Sequence, residues 1–103
     1  MDGNRKLEGR HALVTGAGSG IGAAIAVALA AAGARVTLAG RRAAPLEALA
    51  AQIGPSSQVA AGFDVTDAAA IDDGMIKARA AFGPIDILVN NAGEAPTAPF
   101  EKT

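Results

Sequence analysis

Leu-Val-Thr-Gly-Ala-Gly-Ser-Gly-Ile-Gly, residues 13–22, is the stretch that decides the fold of this chain. The apolar run at 12–14 is typical of a buried strand, and four glycines follow at 16–22, where an apolar-periodic helical stretch begins at Ile21. Glycines let the main chain turn sharply and approach a ligand, and the start of a helix presents unpaired N–H groups with partial positive charge. The stretch therefore predicts a phosphate-binding turn.

The glycine spacing narrows the choice of ligand. We interpret Gly16 as the turn after the strand, Gly20 as the closest backbone approach to the ligand and Gly22 as the helix–strand packing position. The Gly-Lys-Ser/Thr ending of a nucleoside-triphosphatase loop is absent. Residues 18–23 satisfy G-x-G-x-x-G/A, and residues 16–20 are similar to the glycine turn of methyltransferases that bind adenosylmethionine. In a chain with 13 glycines, this pattern alone leaves a dinucleotide site, a methyltransferase site and a flexible loop open.

Length and composition limit the function further. A chain of 103 residues forms at most one small domain, 1–103, with a polar lead-in at 1–9. The 27 alanines and three aromatic residues predict a core of closely packed backbones. A net charge of −1 without a long basic run argues against nucleic acid, and no apolar run is long enough for a membrane span. The chain has no cysteine and no secretory signal, so we expect a cytoplasmic protein without disulfides or a thiolate metal site.

Strand and helix signals alternate along the rest of the chain. Strands are predicted at 35–39, 58–63 and 85–89. The first predicted helix begins at Ile21 and has Ile25 and Leu29 on the same apolar face. The second spans 43–53, and the third runs from an N-cap at Thr66 to Gly83. Four strands and three helices in alternation predict a parallel sheet with right-handed crossovers. The expected fold is α/β: a Rossmann-type doubly wound sheet of strand order 3-2-1-4 in three α/β/α layers.

This topology brings two distant stretches together. Ligands of doubly wound sheets sit above the carboxyl ends of the strands where the winding reverses, here between strands 1 and 4. The Gly16 turn and Asn90-Asn91-Ala92-Gly93 should therefore lie side by side.

These motifs resemble the short-chain dehydrogenase/reductase family. The resemblance rests on residues 15–22, on Asp64-Val65-Thr66-Asp67 and on residues 90–93, and it covers nearly the whole chain. It implies binding of NAD or NADP and hydride transfer between the nicotinamide and an alcohol or carbonyl carbon. It also implies a small-molecule substrate and a dimeric or tetrameric complete protein.

The resemblance implies roles for individual residues. Backbone groups of the glycine turn and the Ser19 hydroxyl would hold the pyrophosphate, Asp64 and Val65 would bind the adenine, and Thr15 would tie the turn to strand 4. Asn90 would brace the sheet. An alternative role for Asp64 is to cap the helix that follows it. The implied cofactor-binding residues are Gly16, Ser19, Gly20, Ile21, Gly22, Asp64, Val65, and, beneath the riboses, Asn91, Ala92 and Gly93.

Charge at the end of strand 2 favours NADP over NAD. An NAD site places Asp or Glu there to bind the ribose hydroxyls, and an NADP site places Arg there for the 2′-phosphate. The chain reads Ala39-Gly40-Arg41-Arg42, and its next acid is Glu47. Guanidinium groups pair with phosphate, so Arg41 and Arg42 complete the predicted cofactor site. Methyltransferases usually hold the ribose of adenosylmethionine with an acidic side chain, so the missing acid also argues against a methyltransferase site.

The proton relay that the resemblance implies is missing. The family uses a tyrosine, a lysine four residues later, a serine and an asparagine, and this chain has no tyrosine. His11 lies at the end of strand 1 opposite the crevice, and Asp72-Asp73 is expected on a solvated helix face. We therefore expect the amino-terminal part of a longer reductase, inactive by itself and without catalytic residues of its own. The alternative is a short NADP-binding sensor or interaction module.

Overall fold

The fold is that of a computed structural model, which describes residues 6–91. Its elements in chain order are β1 His11–Thr15, α1 Gly20–Ala31, β2 Arg35–Gly40, α2 Ala43–Ile53, β3 Ser57–Ala61, α3 Ala68–Phe82 and β4 Ile87–Asn90. The strands pair in parallel in the order β3-β2-β1-β4. The expected α/β fold and strand order are confirmed. Within residues 6–91, no helix is long and apolar enough to cross a membrane.

Two apolar clusters cover the two faces of the sheet. One joins Val14, Val36 and Leu38 to side chains of α1 and α2. The other joins Leu13 and neighbouring sheet residues to α3. Because successive strand residues point to opposite faces, each fully buried strand supplies both clusters. The three α/β/α layers follow from this alternation.

The buried face of α1 differs from the one expected from its large side chains. Ile21 is 71% exposed, and the buried residues of the helix are Gly22 and Ala26. Ile25 and Leu29 are half-buried and pack at the side of the core. The small residues face the sheet because they allow the helix axis to come close to β1, so the assignment of Ile21 to the packed face was wrong.

The start of α3 lies one residue later than expected. The N-cap is Asp67, whose carboxylate accepts hydrogen bonds from the backbone N–H groups of Ala69 and Ala70 at 3.0 and 3.3 Å. Thr66 was wrongly expected to be the cap, and its hydroxyl donates to Asp64 instead. A carboxylate at the positive end of a helix is stabilised by the helix dipole, which explains why the aspartate takes this position.

Strand ends also differ from the sequence expectation. The third strand ends at Ala61, so Phe63 lies beyond it, and its backbone N–H donates to the Gly40 carbonyl at 3.0 Å. The fourth strand begins at Ile87, two residues later than expected. Gly83, with a φ of 85°, ends α3 as expected.

His11 belongs to a directional hydrogen-bond chain at the amino end of the sheet. Its Nδ1 lies 2.9 Å from the Gly83 carbonyl, which can only accept, so Nδ1 carries the proton. The Nε2 atom then accepts from the Thr37 hydroxyl at 2.7 Å, and Thr37 in turn accepts from Gln58 at 2.8 Å. This buried chain gives His11 a structural role far from the carboxyl ends of the strands.

Candidate functional site

Thr15 joins β1 to the end of β4 through its hydroxyl. The Thr15 Oγ1 lies 3.3 Å from the Val89 carbonyl and 3.2 Å from Asn90 Oδ1, and it accepts from the Asn91 backbone N–H at 2.9 Å. The Asn91 amide nitrogen also donates to the Gly16 carbonyl at 3.4 Å. The two stretches expected at one crevice therefore meet there, and the tie through Thr15 is confirmed.

Gly22 packs at the point where α1, the glycine turn and Asn91 converge. A Cβ atom at Gly22 would overlap the Gly16 carbonyl oxygen and lie 2.7 Å from the Asn91 amide nitrogen. Both neighbours belong to the junction of β1 and β4. Only glycine fits at this position without displacing that junction, as expected from the sequence.

The amino end of α1 is open toward the crevice. Gly16 and Gly20 adopt φ angles of 65° and 42°, in the region that favours glycine. Apart from its chain neighbours and the backbone of its own helix, no atom of the described residues lies within 4 Å of a Cβ built at Gly20. The helix has no acid in its first turn, and Ser19 stands at the N-cap without a side-chain cap hydrogen bond. The first N–H groups of α1 thus receive no cap from the side chain of Ser19, which is exposed.

A groove of about 490 Å³ extends from this turn across the end of β2. We call it the nucleotide groove. Its walls are the glycine turn, the end of β2, the start of α2 and the segment after β3. The lining residues are Gly16, Gly18, Ser19, Gly40, Arg41, Arg42, Pro45, Leu46, Phe63 and Val65.

Among residues 6–91, two guanidinium groups and no carboxylate line the nucleotide groove. Arg41 and Arg42 follow β2 directly, and both are exposed. The Arg41 backbone carbonyl accepts from the Gly62 N–H at 3.3 Å, which ties this end of β2 to the segment after β3. The two arginines therefore place positive charge at one end of the groove.

The Asp64 side chain is hydrogen-bonded to Thr66, two residues further along the segment after β3. Its Oδ1 accepts from the Thr66 hydroxyl at 2.7 Å and from the Thr66 backbone N–H at 2.9 Å. These hydrogen bonds, the side-chain one first, lower the pKa of Asp64 from its ordinary value of 3.8, and the positive charge of Arg41 adds to the effect. The lowered pKa makes Asp64 an ionised carboxylate beside the groove. It does not cap the helix, because Asp67 is the N-cap of α3.

Replacing Thr66 with alanine should raise the pKa of Asp64 toward 3.8, because it removes the largest cause of the lowering. The folded-state pKa lies below the unfolded one, so the ionised carboxylate stabilises the fold above pH 3.8. That contribution is lost as the pH falls through the folded-state pKa. A ¹³C NMR titration of the Asp64 carboxyl measures the change directly. Thr66→Ser keeps the hydroxyl and should keep the low pKa; identical titration curves for the alanine and serine variants would contradict this account.

Several residues of the groove were not singled out from the sequence. Pro45 lies 3.3 Å from a Cβ built at Gly18, so the start of α2 is in contact with the glycine turn. Phe63 was assigned to a strand, and its place after the strand brings its ring to the groove. Pro45 and Phe63 reach the groove through contacts between separate elements, which the spacing of residues in the sequence does not show. The predicted ribose-binding residues Ala92 and Gly93 lie outside the described residues.

Comparisons with known proteins agree with this geometry. A family model described as short chain dehydrogenase matches residues 10–103. A D-threitol dehydrogenase from Mycolicibacterium smegmatis is 50% identical over 99% of this chain, and a gluconate 5-dehydrogenase from Gluconobacter oxydans is 47% identical over 93%. The matches cover 40% and 38% of these relatives, so the chain spans about two fifths of their length.

Solved structures of similar fold include complexes with both nicotinamide nucleotides. A 3-ketoacyl-(acyl-carrier-protein) reductase from Brucella melitensis complexed with NADH is 40% identical, with a TM-score of 0.78 over 81% of this chain and 34% of that one. The C-domain of a bacterial malonyl-CoA reductase with NADP is 32% identical, with a TM-score of 0.84 over 91% of this chain and 16% of that one. By sequence and by fold, the chain belongs to the short-chain dehydrogenase family of NAD(P)-binding oxidoreductases.

Proposed function

We propose that this chain supplies the cofactor site of an NADP-dependent oxidoreductase that interconverts an alcohol and a carbonyl compound. The observation that carries the proposal is the nucleotide groove, where the glycine turn with Ser19, the N-cap of α1, and the two arginines after β2 line one cavity. A dinucleotide carries negative charge at its pyrophosphate and, in NADP, at its 2′-phosphate. The groove offers a complementary group at each of these two places.

The pyrophosphate would bind at the amino end of α1. Gly20, Ile21 and Gly22 are the first residues of this helix, and their N–H groups come before that of Ala23, which donates to the Ser19 carbonyl. The exposed Ser19 hydroxyl is not used as a cap and would add a donor. The Gly16 carbonyl is engaged by Asn91, which fixes the turn before the ligand arrives. A preformed turn of this kind binds phosphate without a further ordering cost.

The adenosine would bind across the end of β2. Val65 lines the groove, and the ionised Asp64 beside it would accept a hydrogen bond from the adenine amino group while the Val65 backbone completes the base edge. Asn91, together with Ala92 and Gly93, would pass beneath the riboses. Arg41 and Arg42 would then pair with the 2′-phosphate. The described part of the groove lining contains no carboxylate, which an NAD site would require.

When bound, the nicotinamide would supply or accept the hydride. This chain's part is to hold and orient the nucleotide along the carboxyl ends of β1, β2 and β4. The chain has no tyrosine to act as the proton donor, so we propose that the 103 residues alone do not turn over substrate. For the complete protein, the D-threitol and gluconate relatives support a polyhydroxylated alcohol as substrate class. A homodimeric or homotetrameric assembly and a cytoplasmic location remain predictions.

Nucleotide titration of the purified chain tests this proposal. We expect NADPH to bind about tenfold or more tightly than NADH, because one additional charged contact is worth more than 1.4 kcal/mol. Binding of NADPH and NADH is followed by the fluorescence of the reduced nicotinamide. Binding of adenosylmethionine, the ligand that the competing methyltransferase hypothesis predicts, is measured by calorimetry. Equal affinities for the two nucleotides would refute the NADP assignment, and selective binding of adenosylmethionine would refute the whole proposal.

A further inference from the structure

Phe63 forms a wall between two cavities. Its side chain is almost fully buried and lines the nucleotide groove. It also lines a second cavity of about 390 Å³, which we call the β3–α3 cavity because residues of these two elements surround it. The position of this one ring therefore sets the shape of both cavities.

Gly74 in the middle of α3 sets the position of the Phe63 ring. A Cβ atom at Gly74 would lie 2.5 Å from Cδ2 and 2.8 Å from Cε2 of Phe63, closer than real side-chain contacts allow. Gly74 is not among the glycines with positive φ, so the backbone of α3 does not require glycine there. Glycine is unfavourable inside a helix. Its effect at this position is to make room for the ring.

Buried neighbours pack against the Phe63 ring, and open space lies beside it in the two cavities that it lines. Leu13 and Ala39 of the sheet and Ala78 of α3 pack in the same buried cluster. The Phe63 backbone N–H is bonded to the Gly40 carbonyl at 3.0 Å, which fixes the base of the side chain. A methyl group at Gly74 would occupy the side of the β3–α3 cavity, which Gly74 itself lines. Such a methyl group pushes the ring away from α3 and toward the nucleotide groove, the other cavity that Phe63 lines.

We propose that Gly74 is a positioning residue for the adenosine half of the nucleotide. By leaving room for the Phe63 ring against α3, it keeps the groove wide enough for the adenine. This inference rests on the proposed NADP site and adds a specificity residue that lies outside the groove lining. A larger side chain at position 74 narrows the groove from behind.

A double-mutant cycle tests the coupling between these two residues. The variants are Gly74→Ala, Phe63→Leu and the pair together, and the probe is adenosine 2′,5′-bisphosphate, titrated by calorimetry. We expect Gly74→Ala to weaken binding about tenfold in the original background and less than about twofold in the Phe63→Leu background, where the shorter side chain leaves room. In the Phe63→Leu background, alanine at 74 should also raise the thermal midpoint, because alanine favours the helix. A purely structural role would lower the thermal midpoint of Gly74→Ala without changing the affinity of the folded chain.

The outcomes separate this inference from the proposed function. If the unmodified chain binds neither NADPH nor the bisphosphate, both are refuted. If it binds and Gly74→Ala binds equally well, only the positioning role is refuted. Should Gly74→Ala fail to fold, ¹⁹F NMR of chains labelled with 4-fluorophenylalanine decides: saturation with the bisphosphate should shift the resonance of ring 63 and not that of ring 82. An unmoved ring-63 resonance overturns the proposal.

Discussion

Replacing Gly22 with alanine is expected to lower the free energy of unfolding by about 3 kcal/mol, the upper end of the range for an overpacked core. The added methyl would overlap the Gly16 carbonyl oxygen and press on the Asn91 amide. The Gly16 carbonyl is backbone held by the turn after β1, and the Asn91 amide is hydrogen-bonded to that same carbonyl. The carbonyl cannot move away without disturbing the contact between α1 and the sheet. The variant should therefore lose stability and the junction of β1 and β4 together.

Chemical denaturation followed by circular dichroism measures this loss. Ala24→Ser is the matched control, because it adds one heavy atom at an exposed position of the same helix. It should change stability by less than about 0.5 kcal/mol. A Gly22→Ala variant as stable as the control would show that α1 does not pack on the turn in the way described.

Replacing Arg41 with aspartate is expected to weaken NADPH binding by about 2–3 kcal/mol, or roughly 30- to 150-fold. The change removes a charged hydrogen-bond partner and places a carboxylate beside the 2′-phosphate. NADH lacks that phosphate, so its affinity should change little, and the preference between the two nucleotides should fall or invert. Comparing the nucleotides in one variant also cancels any effect of the new charge on Asp64, which both would contact through the adenine.

The matched control is Arg79→Asp, the same charge change on an exposed residue in the last turn of α3. That turn lies at the opposite end of the sheet from the nucleotide groove. We expect the NADPH-to-NADH affinity ratio of this variant to equal that of the original chain. A parallel loss for both nucleotides in Arg41→Asp would contradict the assignment of Arg41 to the 2′-phosphate.

The fold could be predicted because strong local signals and topology agreed. Each strand or helix is bounded by a glycine, a proline or a change of hydrophobic period, and α2 at Ala43–Ile53 coincides with its prediction. Parallel strands joined through helices permit few arrangements, so the order 3-2-1-4 followed. The meeting of Gly16 and Asn91 was predictable for the same reason, since it is a property of the sheet order.

Features that depend on contacts between elements could not be predicted. The exposure of Ile21 contradicts its hydrophobicity, and it arises because the helix approaches the sheet through Gly22 and Ala26. The choice of Asp67 over Thr66 as N-cap depended on a competing hydrogen bond to Asp64. The relation between Gly74 and Phe63 joins a helix to a loop, and no spacing in the sequence signals it.

The approach of α1 to the sheet through Gly22 and Ala26 also bears on how the chain responds to temperature. Small side chains remove little apolar surface from water, and the heat capacity of unfolding scales with the apolar surface that becomes exposed. A contact made through small side chains at close distance therefore contributes little to that heat capacity. The Gly22–Ala26 contact adds little curvature to the temperature dependence of the free energy of unfolding, in contrast to the contacts that leucines make in the same layer.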